Sequence, residues 1–146
     1  MEASALPVTF RPRGVRIAAV VLGVALFAVS AAIWFAFPQS VRDQFTTFQR
    51  LTVMLFGLIA VAAGYALGRS RVRAEVGGLL VVNGFRTHRY AWTELTGVTL
   101  RAGSPWAILE LADGSTAAAM GIQGSDGDHA VRQVRRLRSI LGARTG

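Results

Sequence analysis

The sequence contains no cysteine and no lysine, and only 16% of its 146 residues are charged. The absence of cysteine excludes a disulfide framework, a thiolate zinc site, an iron–sulfur cluster and a cysteine nucleophile. An ordinary soluble domain carries about a quarter charged residues, so this chain is short of the groups that keep a surface hydrated. The 16 basic residues are all arginine, and against eight acidic residues they give a net charge of +8. With 52% hydrophobic residues, the composition favours a basic membrane protein.

Two apolar runs are long enough to cross a bilayer. The first, residues 17–37, has no charge; as a helix it would reach roughly 31 Å, close to the hydrocarbon thickness of a membrane. The second, residues 51–68, is shorter but also apolar all round, as a lipid-facing helix must be. A signal peptide is the competing interpretation of the first run, because three arginines precede it and Ala28-Val29-Ser30 resembles a cleavage site. The apolar stretch continues past that site, which favours a transmembrane helix.

The distribution of arginine predicts that both termini lie in the cytoplasm. Three arginines precede the first run and three follow the second, whereas the loop between the runs has two. We therefore expect a cytoplasmic tail (1–16), a first transmembrane helix (17–37), an extracytoplasmic loop (38–50), a second transmembrane helix (51–68) and a cytoplasmic domain (69–146). The protein would be a multi-pass protein of the plasma membrane.

Small residues recur at every fourth position in both expected helices. They are Ala28, Ala32 and Ala36 in the first helix, and Ala60, Gly64 and Gly68 in the second. This spacing lets two helix backbones approach closely in lipid. It predicts packing of the two helices against each other, with dimerisation through Gly64 and Gly68 as the alternative that would give a homo-oligomer.

After the second run, short apolar segments alternate with turn signals. Six strands are expected, at residues 71–76, 79–82, 85–90, 95–101, 106–111 and 115–120. Asn83-Gly84 is the strongest short hairpin signal, because both central residues of such a turn must accept positive φ. Apolar residues at three- and four-residue spacings then predict a final helix over about 130–141, with Ser125 as its cap and Asp128 completing a capping box. Such a helix would cover an open end of the sheet.

The chain resembles the bacterial pleckstrin-homology-like (PH-like) membrane proteins of actinobacteria. The resemblance is carried by the segment GLLVVNGFRTHRYAWTELTGVTLRAGSPWAILELADG, which follows the two expected membrane spans and precedes an arginine-rich helix. The most similar are those of the low molecular weight antigen type, and the match lies in residues 78–89, 90–95 and 106–114. The resemblance implies an α+β membrane protein: a two-helix transmembrane hairpin followed by a PH-like curled antiparallel β-sheet of up to seven strands, capped by a C-terminal α-helix. It implies no catalytic residue. Eukaryotic PH domains often bind phosphoinositides through basic residues in the first hairpin loop, and the Asn83-Gly84 loop has no such cluster.

Candidate chemistry is otherwise sparse. His88 is expected to be a surface or half-buried histidine of a strand. Asp126, Asp128 and His129 have side chains that can bind a metal, but acids at the start of a helix are explained by capping and by the helix dipole. The remaining carboxylates are too isolated to form a catalytic pair. We therefore predict no enzymatic activity, no cofactor and no metal.

Two groups of arginines are the candidate contact residues. Directly after the second run, three arginines would lie at the membrane surface, where each gains about 1 kcal/mol from anionic lipid; these are Arg69, Arg71 and Arg73. Four more lie on the final helix, either as a solvated face or as a face that docks on the anionic leaflet or an acidic partner; these are Arg132, Arg135, Arg136 and Arg138.

Taken together, these features predict a non-enzymatic integral membrane protein. Its PH-like domain would be a protein-binding or scaffolding module at the inner leaflet, with a membrane or cytoplasmic protein as partner and no nucleic acid. One alternative is a module that responds to anionic lipid. Another is a small accessory subunit of a larger membrane transport or envelope-synthesis complex.

Overall fold

A computed structural model describes residues 5–146 of the chain. The strands are β1 (Val8–Phe10), β2 (Arg71–Glu75), β3 (Gly78–Asn83), β4 (Arg86–Ala91), β5 (Leu95–Thr99), β6 (Trp106–Leu111) and β7 (Thr116–Gln123). The helices are α1 (Gly14–Ala36), α2 (Gln39–Arg42), α3 (Thr47–Arg69) and α4 (Asp128–Thr145). Short 3₁₀ turns cover Trp92–Glu94 and Gly124–Asp126. The expected α+β arrangement of two long apolar helices, antiparallel sheets and a C-terminal helix is confirmed.

The helices α1 and α3 are each 23 residues long, apolar enough to cross a membrane, and without a buried residue. They extend the two apolar runs by a few residues, and α2 lies in the connection between them. The side chain of Thr46 caps α3 by accepting the backbone N–H of Gln49, whose own side chain accepts the N–H of Thr46. At this end of the pair, the ring of Trp34 packs edge-on against Phe45.

Two antiparallel sheets form the core of the domain. One has the strand order β1-β2-β3-β4 and the other β5-β6-β7. Their inward faces share one buried core, whose largest fully buried side chains include Leu79, Leu109 and Ile122. The two sheets approach closely where β7 passes β2, because a Cβ at Gly121 would lie 2.5 Å from the carbonyl carbon of Arg71. A glycine is therefore required at this crossing.

The helix α4 closes this core with one face, as expected. Ala130, Val134, Leu137 and Ile140 are all buried in the same cluster as the strands. Val131, which belonged to the expected apolar stripe, is 46% exposed. The stripe is therefore narrower than the sequence pattern indicated.

The strand β1 corrects the expectation that residues 1–16 form a tail. Val8 pairs with Ala74 and Phe10 with Val72 on β2, and both Val8 and Phe10 are buried. All six strands expected after residue 68 are present, and β1 supplies the seventh from before the first long helix. The pair α1–α3 is thus an insertion between the first two strands of one sheet. The strand was missed because three residues are too few to show an alternating pattern.

Candidate functional site

The first contact between the domain and the long helices is made by Asp126. Its Oδ2 accepts the backbone N–H of Arg13 at 3.0 Å, and its Oδ1 accepts that of Gly14 at 2.9 Å. No side chain of α1 itself caps this end. A carboxylate is favourable here because the first N–H groups of a helix have no partner within the helix and carry partial positive charge. Asp126 therefore fastens the start of α1 to the domain.

This contact also corrects the expected cap of α4. Ser125 lies in the 3₁₀ turn, and the residue before α4 is Gly127, with φ +54° and no side-chain cap. Asp126 therefore caps a different helix, α1, whereas Asp128 lies in the first turn of α4. The spacing of the acidic residues in the sequence does not reveal this.

The second contact joins the end of α3 to the β3–β4 turn. The hydroxyl of Ser70, which is 1% exposed, donates to the carbonyl of Ala66 and accepts the backbone N–H of Gly84 at 3.0 Å. Gly84 has φ +59°. The hairpin is present where the sequence predicts one, but its two turn residues are Gly84 and Phe85, because Asn83 is the last residue of β3 and pairs with Arg86. The expectation that Asn83 also has positive φ is wrong. The side chain of Asn83 bonds both the carbonyl of Ala118 and the N–H of Met120 on β7. The turn is thus held between the second long helix and the opposite sheet.

Aromatic rings reinforce the second contact. The ring centroids of Tyr65 and Phe85 are 6.5 Å apart, and the guanidinium of Arg69 lies 5.8 Å from each of them. A guanidinium at this distance from an aromatic face is attracted by the negative charge of the ring face. Arg69 therefore holds the last turn of α3 against the domain.

The three arginines expected at the membrane surface are not one cluster. Arg69 rests on aromatic rings, whereas Arg71 and Arg73 lie two positions apart on one face of β2. Arg73 is 3.5 Å from the carboxylate of Glu75, which is also 3.3 Å from a nitrogen of Arg89. Part of this positive charge is therefore already compensated within the domain.

The arginines of α4 also separate into different surroundings. Arg138 donates from Nε to the carbonyl of Val98 at 2.6 Å and lines a small groove of about 410 Å³ beside β5. Arg135 is exposed. Arg132 and Arg136 are one helical turn apart and face the start of α1. The four do not form a single face.

A larger open groove, of about 890 Å³, lies between α4 and the segment that runs from β1 into α1. We call it the arginine groove, because five of its lining residues are arginines: Arg11, Arg13, Arg16, Arg132 and Arg136. Gln133 supports it by donating from its side-chain amide to the carbonyl of Arg11 at 3.4 Å. From the sequence, Arg11, Arg13 and Arg16 are expected only to set the orientation of the chain in the membrane. Nothing in the sequence around them indicates that they lie beside α4.

Of the two stripes of small residues, only the stripe on α3 contacts the other long helix. A Cβ at Gly64 would lie 3.8 Å from the Cβ of Ala19, and one at Gly68 would lie 3.8 Å from the Cγ of Arg16. The α3 stripe therefore contacts α1 of the same chain at these two positions, whereas Ala60 is exposed. Ala28, Ala32 and Ala36 on α1 are also exposed, so the expectation that they pack against α3 is not met.

The remaining candidates are surface groups. His88 is exposed, and its ring centroid lies 4.4 Å from that of Tyr90. Partial burial, together with the negative charge of Glu94, raises the pKa of Tyr90 above its ordinary value. Hydrogen bonds from Ser115 lower the pKa of Asp113 in the β6–β7 turn. Among residues 5–146, no three His, Asp or Glu side chains come together in a group that could hold a metal ion.

Comparison with known proteins identifies the domain. The sequence model of a bacterial PH domain family matches residues 69–139. Uncharacterised proteins of Mycobacterium tuberculosis and Mycobacterium bovis are 34% identical over 97 residues, which is 66% of this chain and 63% of theirs. The chain thus spans somewhat less than two thirds of the length of these mycobacterial relatives, and no solved structure matches it. Strand β1 lies outside the matched range. With its two antiparallel sheets and closing helix, the part of the chain from residue 69 to residue 139 is a bacterial PH domain.

Proposed function

We propose that α1 and α3 cross the plasma membrane as a hairpin, and that the PH domain lies on its cytoplasmic side as a module that recruits a protein. Both helices are long and apolar enough to cross, and neither has a buried residue. Arginines flank the ends next to the domain, which favours a cytoplasmic position for those ends. Cleavage of the first helix as a signal peptide would remove β1 from the sheet, so the pairing of β1 with β2 supports an uncleaved chain.

The observation that carries this proposal is the double attachment of the domain. Asp126 holds the start of α1, and Ser70 holds the end of α3 to the Gly84 turn. A domain on a flexible linker turns freely, whereas one fastened at two points keeps the same surface directed away from the bilayer. A fixed orientation is what a recruiting module at a membrane requires.

The surface best suited to a partner is the free edge of β4. This strand is the last in its sheet, and all of its residues except Tyr90 are exposed. Edge strands offer unpaired backbone groups to which an extended peptide can add as a further strand. The side chains of Arg86 and Arg89 make this edge basic. We therefore propose that the partner contributes an extended acidic segment.

Site-specific photo-crosslinking in native membranes tests this function. A photoreactive residue in place of His88 on the edge should capture a protein, and one in place of Asp113 in the β6–β7 turn should not. The Arg86→Glu/Arg89→Glu variant should abolish capture, whereas Arg101→Glu, which changes an exposed arginine elsewhere, should leave it unchanged. Capture that survives the double charge reversal, or equal capture from both positions, would overturn the β4 edge as the recruiting surface.

The exposed alanines favour a second candidate, an accessory subunit of a larger membrane complex. Ala28, Ala32 and Ala36 form a stripe of small residues that α3 leaves uncovered, and such stripes let helices of another protein approach closely. Replacing Ala32 with Leu should then reduce co-migration with a partner in native gels, whereas Leu22→Ile at another exposed position should not. An unchanged complex in the Ala32→Leu variant would remove this candidate.

A further inference from the structure

We infer that the arginine groove binds the phosphate of an anionic phospholipid from the leaflet around α1. This inference rests on the proposed crossing of the membrane by α1, but it does not depend on the β4 edge or on any protein partner. It concerns a site assembled from both ends of the chain, because the groove is formed where β1 continues into α1 beside α4.

The first argument is charge. Five arginines line the groove, and no aspartate or glutamate does so among the residues that the structure describes. None of the five forms an ion pair within residues 5–146, where the ion pairs are those of Glu75 with Arg73 and Arg89. The nearby carboxylate of Asp126 is engaged by the backbone of Arg13 and Gly14. A bound anion would reduce the repulsion between these like charges. The planar guanidinium group suits phosphate in particular, because it can donate two hydrogen bonds to it.

The second argument is the apolar wall that continues from the arginines. Ile17, Val20 and Val21 line the same groove on the next turns of α1, and they are 66%, 65% and 59% exposed. A free phosphate or a soluble anion would make no contact with these side chains. A phospholipid would place its headgroup on the arginines and an acyl chain along the three aliphatic residues. The groove therefore favours a lipid as the source of the phosphate.

The third argument is position along α1. Arg13 and Arg16 stand at the start of the helix, and the aliphatic residues follow at once toward its centre. In a bilayer this is the order of headgroup and hydrocarbon, so the arginines lie at the depth at which lipid phosphates occur. Arg69 and Arg73, by contrast, already have partners in the domain.

Native mass spectrometry of the full-length protein in detergent tests this inference. Dioleoylphosphatidylglycerol should bind at least about tenfold more tightly than dioleoylphosphatidylcholine. The Arg132→Gln/Arg136→Gln variant should lose this preference. The matched control, Arg135→Gln/Arg144→Gln, removes the same charge from exposed positions of the same helix outside the groove, and it should retain the preference.

Two further measurements separate the sources of the anion. Replacing Val20 with Ser leaves the charge unchanged but should weaken binding of phosphatidylglycerol, because it removes part of the acyl contact. Glycerol 3-phosphate at millimolar concentration should not displace the lipid. Equal affinity for the two lipids, equal losses in the two double variants, or displacement by glycerol 3-phosphate would each overturn the lipid site.

The same experiment distinguishes failure of the proposed membrane crossing from failure of the arginine groove. A chain that does not enter detergent micelles contradicts the proposed crossing, whereas a micelle-bound chain without lipid preference contradicts only the arginine groove. Arg16→Gln, at the boundary between α1 and the groove, provides a second variant should the α4 pair disturb folding. It should also reduce the preference for phosphatidylglycerol.

Discussion

The carboxylate of Asp126 accepts the backbone N–H of Gly14 at 2.9 Å, although the two residues are 112 positions apart in the chain. The bond joins the turn before the last helix to the first residue of α1. It satisfies backbone groups that a helix start otherwise leaves to solvent. The domain and the start of α1 are therefore rigidly connected at this point.

Removing this carboxylate should loosen the start of α1. Asp126→Ala should cost about 1 kcal/mol, the usual value of a helix cap, and should speed hydrogen exchange at the amides of Arg13 and Gly14. Asp128→Ala is the control, because Asp128 belongs to the first turn of α4. Faster exchange in the control to the same degree would contradict the assignment of Asp126 as the cap.

Adding a methyl group at Gly14 should have a similar effect by crowding. A Cβ there would lie 2.8 Å from Oδ1 of Asp126, whereas a Cβ at Gly23 in the same helix meets nothing within 4 Å. Gly14→Ala should therefore lower the melting temperature in detergent. Gly23→Ala should leave it unchanged or raise it, because alanine favours a helix over glycine by up to about 1 kcal/mol. The reverse order of the two melting temperatures would exclude close contact at Gly14.

The N-terminal strand should be needed for the stability of the domain. Phe10 is 2% exposed and pairs with Val72 in the sheet, so Phe10→Ala should cost about 3–5 kcal/mol. Thr9 lies between the two buried residues of β1 and is exposed, so Thr9→Ala should cost little. Chemical denaturation followed by tryptophan fluorescence would measure both. Equal stability of the two variants would show that β1 contributes no stabilising side chain to the core.

The absence of cysteine makes the topology directly testable. Ser40→Cys places a thiol in the connection between α1 and α3, and Ser139→Cys places one on the exposed face of α4. A membrane-impermeant maleimide should label the first variant in intact cells and the second only after permeabilisation. Labelling in the opposite pattern would invert the proposed orientation, and labelling of both in intact cells would contradict the hairpin.

The parts of this fold that sequence reasoning predicted are those encoded locally. The hairpin after β3 is recognisable because Gly84 accepts the positive φ that a tight turn demands. The apolar runs are recognisable because the length of a bilayer-crossing helix is fixed. The strand β1 has only three residues, and its partner β2 lies beyond both long helices. The signal that would have found it is the short alternation of Val8, Thr9 and Phe10 between two prolines.

The candidate site was predicted less well, because its residues come together only through tertiary structure. Arg16 and Arg132 share a groove since β1 pairs with β2 and α4 returns to the same end of the sheet. The rotation of α1 about its axis, which exposes Ala32 and turns Ala19 toward Gly64, depends on side-chain packing along the helix pair. A repeat of small residues indicates a stripe, but it does not tell which neighbour the stripe meets.

The insertion of a helix hairpin between β1 and β2 has a consequence for biosynthesis. The ribosome releases β1 first, yet its partner β2 emerges only after both long helices have been made. If α1 and α3 cross the membrane as proposed, insertion of both helices leaves the two strands on one side of the bilayer, where the sheet can close. A chain that inserts only one of them keeps Val8 and Phe10 apart from Ala74 and Val72. With the proposed topology, closure of the sheet thus excludes chains in which only one helix has inserted, and such chains present an open β2 edge to cellular proteases.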